Sequence, residues 1–195
     1  MKTLTTREHL LEVGLRRIRA AGYSATGVKE ILDEADIPKG SFYHYFPSKE
    51  AFAVEVLKLY VTSEVERCQR ILGEPKITPL KRLRSYFEEL IQLYGQTAPV
   101  SGCLVGNLSL EIADHSDAIQ SLLHESFLGW QTALASVLRE AIHRGDLPKS
   151  SKPEELAAFL LASYEGALIR SKADRTNKSL ENFLYFAFNV LLKKP

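Results

Sequence analysis

Apolar residues recur at three- and four-residue intervals from the first turns of the chain, and wherever that rhythm breaks a capping or helix-breaking residue stands. Thr5 followed by Glu8 is a capping-box pattern, Leu10, Leu11, Leu15 and Ile18 make one stripe, and Gly22 is a stop, which predicts a helix over 6–21. Thr26 is expected to cap a second helix with Val28, Ile31, Leu32 and Ala35 inward, although Lys29 at its third position leaves the reciprocal half of a capping box unfilled. Asp36 and Pro38 mark a break. Pro38 suits the first turn of a third helix running to about Tyr45, Phe46-Pro47 ends it, and Ser48 caps a fourth helix from Lys49 to about Leu72.

Beyond Gly73 the segments lengthen. Pro79 opens a helix with Leu83, Tyr86, Phe87, Leu90, Ile91 and Tyr94 on one side, expected to end before Pro99, and a shorter helix runs from about Leu104 to Ala113. Three further apolar-striped segments cover about 116–144, 153–172 and 179–193. Period-two alternation bounded by turn residues is found nowhere, so the expectation is an all-α protein, a three-helix N-terminal head over 1–47 attached to a helical bundle over 48–195.

Composition removes several classes of function. The 195 residues are 45% apolar, enough for a real core, and the formal charge of +1 excludes a blanket coating of nucleic acid while leaving room for a small basic face. No signal peptide and no run of ~18 apolar residues is visible, so a cytoplasmic protein without membrane contact is expected. Cys68 and Cys103 are too far apart for metal-ligand spacing, and no metal or cofactor is expected. None of the five histidines forms an H-E-x-x-H pair, and neither a phosphate loop nor a G-x-S-x-G elbow is present, so no enzyme is expected.

The segment Ile37–Glu50, IPKGSFYHYFPSKE, combines four aromatic rings with Lys39, Gly40, Ser41, His44 and Lys49. Helices two and three, joined by a tight turn at Asp36-Ile37, have helix-turn-helix spacing, in which the second helix enters the DNA major groove with its N-terminal residues foremost. That arrangement needs both residue classes: Phe42 and Phe46 anchor the rod to the head, while Lys39, Gly40, Ser41, Tyr43 and His44 occupy its leading end and outer face. Gly40 costs about 1 kcal/mol of helix propensity relative to alanine, which close approach to a phosphate chain would explain.

The stretch GYSATGVKEILDEADIPKGSFYHYFPSKEAF, within residues 6 to about 55, resembles the DNA-binding signature of the TetR family of transcriptional regulators. The resemblance implies a homodimer binding palindromic double-stranded DNA, with a small DNA-binding head over 1–47 and a ligand-binding and dimerisation body over 48–195. It implies that Thr26 is a phosphate-contacting cap of helix two, that Lys39 and Ser41 open the recognition helix, that Tyr43 and His44 make its phosphate and groove contacts, and that Lys49 meets a phosphate at the start of helix four. The sequence departs from the family pattern at Gly27 and Lys29. Nine Lys/Arg against eight Asp/Glu in residues 1–60 make the head nearly neutral, so affinity must come from placement, with Arg7, Lys29, Lys39 and Lys49 toward phosphates, and from dimerisation.

In the body, EELAAFLLASYEGALI sets Ala158, Ala162 and Gly166 four apart as a smooth strip with Phe159, Ser163, Ala167 and Arg170 beside it, and the terminal helix adds Phe183, Phe186, Ala187, Val190 and Leu191. These two helices are the expected dimer interface. Cys103, between Gly102 and Leu104 at a helix start, feels the positive end of the helix dipole. The run Gly102-Cys103-Leu104 with Gly106-Asn107-Leu108 is similar to that of a TetR subgroup, some of whose members respond to electrophiles or oxidants through that thiol. Tyr94, Asn107, Phe127, Trp130, Tyr164 and Phe183 are expected to line a cavity for a small hydrophobic or electrophilic inducer, with the change passed to the head through helix four. The resulting expectation is an inducer-responsive repressor. The alternative is a helical adaptor that binds other proteins through its apolar surfaces and does not bind DNA.

Overall fold

The Thr5 hydroxyl accepts a hydrogen bond from the Glu8 N–H at 3.2 Å, and the Glu8 carboxylate accepts one from the Thr5 N–H at 2.8 Å. These reciprocal bonds open α1 (Thr6–Ala21), which stops at Gly22, whose φ of 91° places it in the region that favours glycine. The structure, a computed structural model, describes residues 4–95 and 102–193.

The second helix, α2 (Val28–Ala35), is capped by Gly27 and not by Thr26. The one-residue shift puts Glu30 instead of Lys29 at the third helical position, so a carboxylate faces the positive end of the helix. Thr26 is 2% exposed, and its hydroxyl donates to the Gly22 carbonyl at 2.6 Å, bracing the α1–α2 connector from inside. Where one helix from Pro38 was expected, a 3-10 turn over Lys39–Ser41, closed by the Ser41 N–H on the Pro38 carbonyl at 3.0 Å, leads into α3 (Phe42–Tyr45). Gly40, the poorest helix former of that stretch besides proline, sits within the tighter turn. The Ser48 hydroxyl accepts from the Ala51 N–H at 3.0 Å and caps α4 (Lys49–Leu72), over the range the pattern predicts.

Pro79 opens α5 (Pro79–Leu90), which continues as a π-turn over Ile91–Gly95; its expected end before Pro99 lies outside the described residues. Next come α6 (Leu104–Glu111), a 3-10 turn over Ala113–His115, and α7 (Asp117–His143), capped by the Ser116 hydroxyl on the Ile119 N–H at 3.2 Å. Then α8 (Pro153–Asp174) ends at a left-handed Arg175, and α9 (Lys178–Phe186) loosens into a π-turn over Ala187–Leu191 where the pattern predicts one continuous helix. Among the described residues there is no strand, and the all-α expectation holds with its helix-turn-helix head. None of their helices is long and apolar enough to cross a membrane.

Packing divides the chain into two units, Met1–Ser63 with Leu104–Ser126, and Glu64–Cys103 with Phe127–Pro195. The first unit extends past α3 because Phe52, Val56, Leu57 and Tyr60 of α4 are buried in it. Its core is an aromatic wedge in which Phe42, Phe46 and Phe52 stack with ring centroids 4.8 to 5.4 Å apart. Gly14 of α1 makes room for that wedge, since a Cβ there would stand 2.2 Å from Phe52 Cζ. The second unit is built around Phe87, whose ring meets those of Tyr164 at 5.5 Å and Phe183 at 5.0 Å. Arg82, 5% exposed, donates to the Leu72 carbonyl at 2.7 Å and pairs with Glu140, which compensates its buried charge.

Candidate nucleic-acid interface and effector site

The aromatic wedge decides which side of α3 is free. Phe42 and Phe46 are 0% and 2% exposed, whereas Tyr43, next to Phe42 in the chain, is 65% exposed. Edge-to-face contact of the Tyr43 ring on Phe42, with centroids at 5.4 Å, steadies it without covering it. His44 and Gly40 are exposed and Ser41 is half-buried, so the leading end of the rod presents small and polar groups to solvent. Lys39 begins the 3-10 turn; its side chain lies outside the described set. Lys29 is exposed on α2. Thr26 departs from expectation, because its buried, engaged hydroxyl faces the interior of the head.

Lys49, half-buried in the first turn of α4, carries its ammonium 4.3 Å from the centroid of the Tyr23 ring. Burial pushes its pKa down, partly offset by the nearby Glu111 and Glu30 carboxylates. Sequence reasoning missed Glu111. Oxygens of its carboxylate accept from the Tyr23 N–H at 2.8 Å and the Ser24 N–H at 2.6 Å. Burial pushes that carboxyl up, but the two backbone bonds, with Ser24 and Lys49, hold it below the ordinary carboxylate value. An acid closing a short helix looks like ordinary surface in one dimension, and its partners lie 88 and 87 positions away in the chain.

In the second unit the expected effector residues fall into separate groups. Cys103, 4% exposed, stands immediately before α6, and its thiol hydrogen-bonds the Glu165 carboxyl, which burial raises to about 7 against a partial lowering by that bond. Tyr164, 2% exposed, has a hydroxyl that meets no hydrogen-bond partner among the described residues and feels the charges of Cys103, Glu165, Tyr94 and Glu64; burial drives its pKa well above the ordinary phenol value. Tyr94, 3% exposed, donates to the buried Glu64, whose charge Arg67 balances at 3.3 Å. Phe183 packs on Tyr164 with ring centroids at 5.7 Å, while Phe127 and Trp130 form a distinct pair at 6.0 Å. Asn107 belongs to the first unit. Cys68, also a thiol, donates to Tyr86 Oη at 3.2 Å, and burial raises its pKa.

The expected interface helices carry an open apolar face. Phe159 and Phe186 are each 59% exposed and Val190 is 58% exposed, and with Ser163, Phe183 and Leu191 they line a groove of ≈ 460 Å³ between α8 and α9. Ala162 and Gly166 are exposed, and nothing lies within 4 Å of a Cβ built on Gly166. Arg170, at the end of that strip, is exposed and pairs with Asp174 at 2.6 Å. Among the described residues no group of acidic, histidine and cysteine side chains is arranged to hold a metal ion.

A helix-turn-helix head with an exposed polar rod, joined in one chain to a helical body with an open apolar face, defines a DNA-binding regulator of the two-part helical class. Residues 10–56 match the family model described as bacterial regulatory proteins, tetR family, and residues 79–186 match that of the tetracyclin repressor-like C-terminal domain. The chain belongs to the TetR family of transcriptional regulators. It is 34% identical to the HTH-type transcriptional repressor DhaR of Mycobacterium sp. (strain GP1), covering 98% of this chain and 95% of that protein. It is 32% identical to the HTH-type transcriptional repressor NemR of Escherichia coli (strain K12), over 95% and 94% of the two. The crystal structure of E. coli NemR in its reduced form superposes with a TM-score of 0.87 at 33% identity, covering 95% of this chain and 96% of that one.

Proposed function

We propose that the protein is a homodimeric transcriptional repressor that binds a palindromic operator and releases it when a small hydrophobic or electrophilic compound reaches its body. The observation that carries the reading is the asymmetry of the α3 rod, with Phe42 and Phe46 locked in the head and Tyr43, His44 and the turn at Gly40-Ser41 open to solvent. Lys29, Lys39 and Lys49 supply phosphate contacts around that rod, and Thr26 supports the connector from within. Dimerisation through Phe159, Ala162, Ser163, Gly166, Arg170, Phe186 and Val190 presents two heads to half-sites about 34–36 Å apart, one turn of DNA.

Cys103 is the sensor in this reading, as the Gly-Cys-Leu-x-Gly-Asn-Leu resemblance suggests. Its thiol adds across an activated double bond: a sulfur–carbon bond forms, the π pair moves onto the neighbouring carbon, and the thiol proton ends there. The Glu165 carboxyl bonded to that thiol supports the role, because it sits where it can take up and return the proton. Burial of Cys103 restricts the reagent to small molecules. In an electrophoretic shift assay on the fragment upstream of its own gene, wild-type protein binds and is released by a maleimide, a quinone or an α,β-unsaturated aldehyde. Cys103→Ser binds equally and is not released; release of that variant rejects the thiol as sensor, and no shift by the wild type rejects the repressor reading.

A further inference from the structure

Glu111 ends α6 and grips backbone of the head that no other described acidic side chain holds, one carboxylate oxygen on the Tyr23 N–H at 2.8 Å and the other on the Ser24 N–H at 2.6 Å. The two amides follow Gly22, where the chain leaves α1 with φ 91° and where a Cβ would stand 3.0 to 3.3 Å from the carboxylate. An added methyl group would therefore press on the grip as well as strain the backbone. The Tyr23 ring is the surface on which the Lys49 ammonium rests, at 4.3 Å, and Glu111 is the first of two carboxylates acting on that ammonium. Glu111, Tyr23 and Lys49 thus form one continuous chain of contacts from the end of α6 to the first turn of α4, all within the first unit.

We propose that Glu111 is a positioning residue for DNA recognition: by holding the Tyr23 and Ser24 amides it fixes the α1–α2 connector, and through the Tyr23 ring it holds the Lys49 ammonium where α4 meets a DNA phosphate. This rests on the DNA-binding reading above. Glu111 does not touch DNA and acts through Lys49. Since α6 begins directly after Cys103 and ends at Glu111, any shift of that helix along its axis loosens the grip and lowers operator affinity. Both carboxylate oxygens are used, so Glu111→Gln, equal in size, turns an NH2 group toward an N–H and breaks one of the two bonds.

The test uses the full-length protein and a duplex selected from random sequence by the wild type, with anisotropy measured across a salt series. Glu111→Gln is expected to weaken binding about tenfold and to lower the salt slope by about one, as Lys49→Ala does, and the double variant is expected to bind no more weakly than Lys49→Ala alone. Amide exchange at Tyr23 and Ser24 should rise in Glu111→Gln with the core of α8 unchanged, and this readout reports on the grip whether or not DNA is present. Glu111→Ala serves if Glu111→Gln misfolds. Wild-type affinity in both variants, or a loss that simply adds to that of Lys49→Ala, overturns the proposal. Failure of the wild type to select any duplex overturns the DNA-binding reading and this proposal together, whereas wild-type binding with an unaffected Glu111→Gln overturns this proposal alone.

Discussion

Replacing Phe186 by alanine is expected to convert the proposed homodimer into a monomer at micromolar concentration. The ring is 59% exposed in the single chain, beside Phe159 at 59% and Val190 at 58%, so a partner that covers the α8–α9 face removes this surface from water. An aromatic side chain offers roughly 150–250 Å² for burial, of which about 120 Å² is still free here, worth about 3 kcal/mol at ~25 cal/mol per Å². In a two-fold dimer the substitution acts twice, and the small area left by alanine returns part of the loss. The net weakening is about 4–6 kcal/mol, a rise of roughly 10³–10⁴ in the dimer dissociation constant. Sedimentation velocity over a nanomolar-to-micromolar series reads this directly, with circular dichroism as a check that the monomer remains helical. If Phe186→Ala sediments as the wild type does across the whole series, the α8–α9 face is not the interface.

Gly14→Ala sets two known magnitudes against each other. The helix gains about 1 kcal/mol in propensity, but the new methyl group would lie 2.2 Å from Phe52 Cζ, and overpacking of a fixed ring costs about 1–3 kcal/mol. Since Phe52 is wedged between Phe42 and Phe46 and cannot swing away, urea denaturation is expected to show net destabilisation; equal or higher stability would mean that the wedge is soft. Glu165, raised to about 7 from an ordinary 4.5, is still protonated in the folded chain after it has ionised in the unfolded one. Its raised value therefore lowers stability as pH climbs from about 4.5 to about 7, by up to about 3 kcal/mol. Glu165→Gln should melt higher than wild type at pH 8 and equal it at pH 4, and parallel melting curves at both pH values would contradict the assignment. Tyr43→Ala and Lys29→Ala should each weaken duplex binding without changing melting temperature, and Lys29→Ala should also lower the salt slope by about one.

Capping chemistry made most of the helix boundaries legible in the chain. Thr5-Glu8, Gly22 and Ser48 mark starts and stops that the folded protein uses, because each satisfies backbone groups that are local in sequence. The cap of α2 lies one residue beyond the position that the pattern predicts for a related reason: Thr26 has the chemistry of an N-cap, but the Gly22 carbonyl four positions earlier competes for its hydroxyl and draws it inward. The anchored face of α3 was readable from Phe42 and Phe46, since the ring positions bracket the polar ones. Glu111 was not readable, as its partners are backbone amides far away in the chain and backbone groups leave no mark on composition. The grouping of Cys103 with Glu165, Tyr164 and Tyr94 likewise arises only when α8 and the end of α5 are brought together, and no periodicity within either helix announces it.

In the proposed function the exposed end of the α3 rod enters a DNA groove in both copies of a dimer. Binding of the purified protein to duplexes selected from random sequence, followed through a salt series for wild type and Tyr43→Ala, tests this most directly. An inverted repeat with half-site centres about 34–36 Å apart, bound with a steep salt dependence and weakened by Tyr43→Ala, is the predicted result. Recovery of no inverted repeat, or equal binding by Tyr43→Ala, would contradict it.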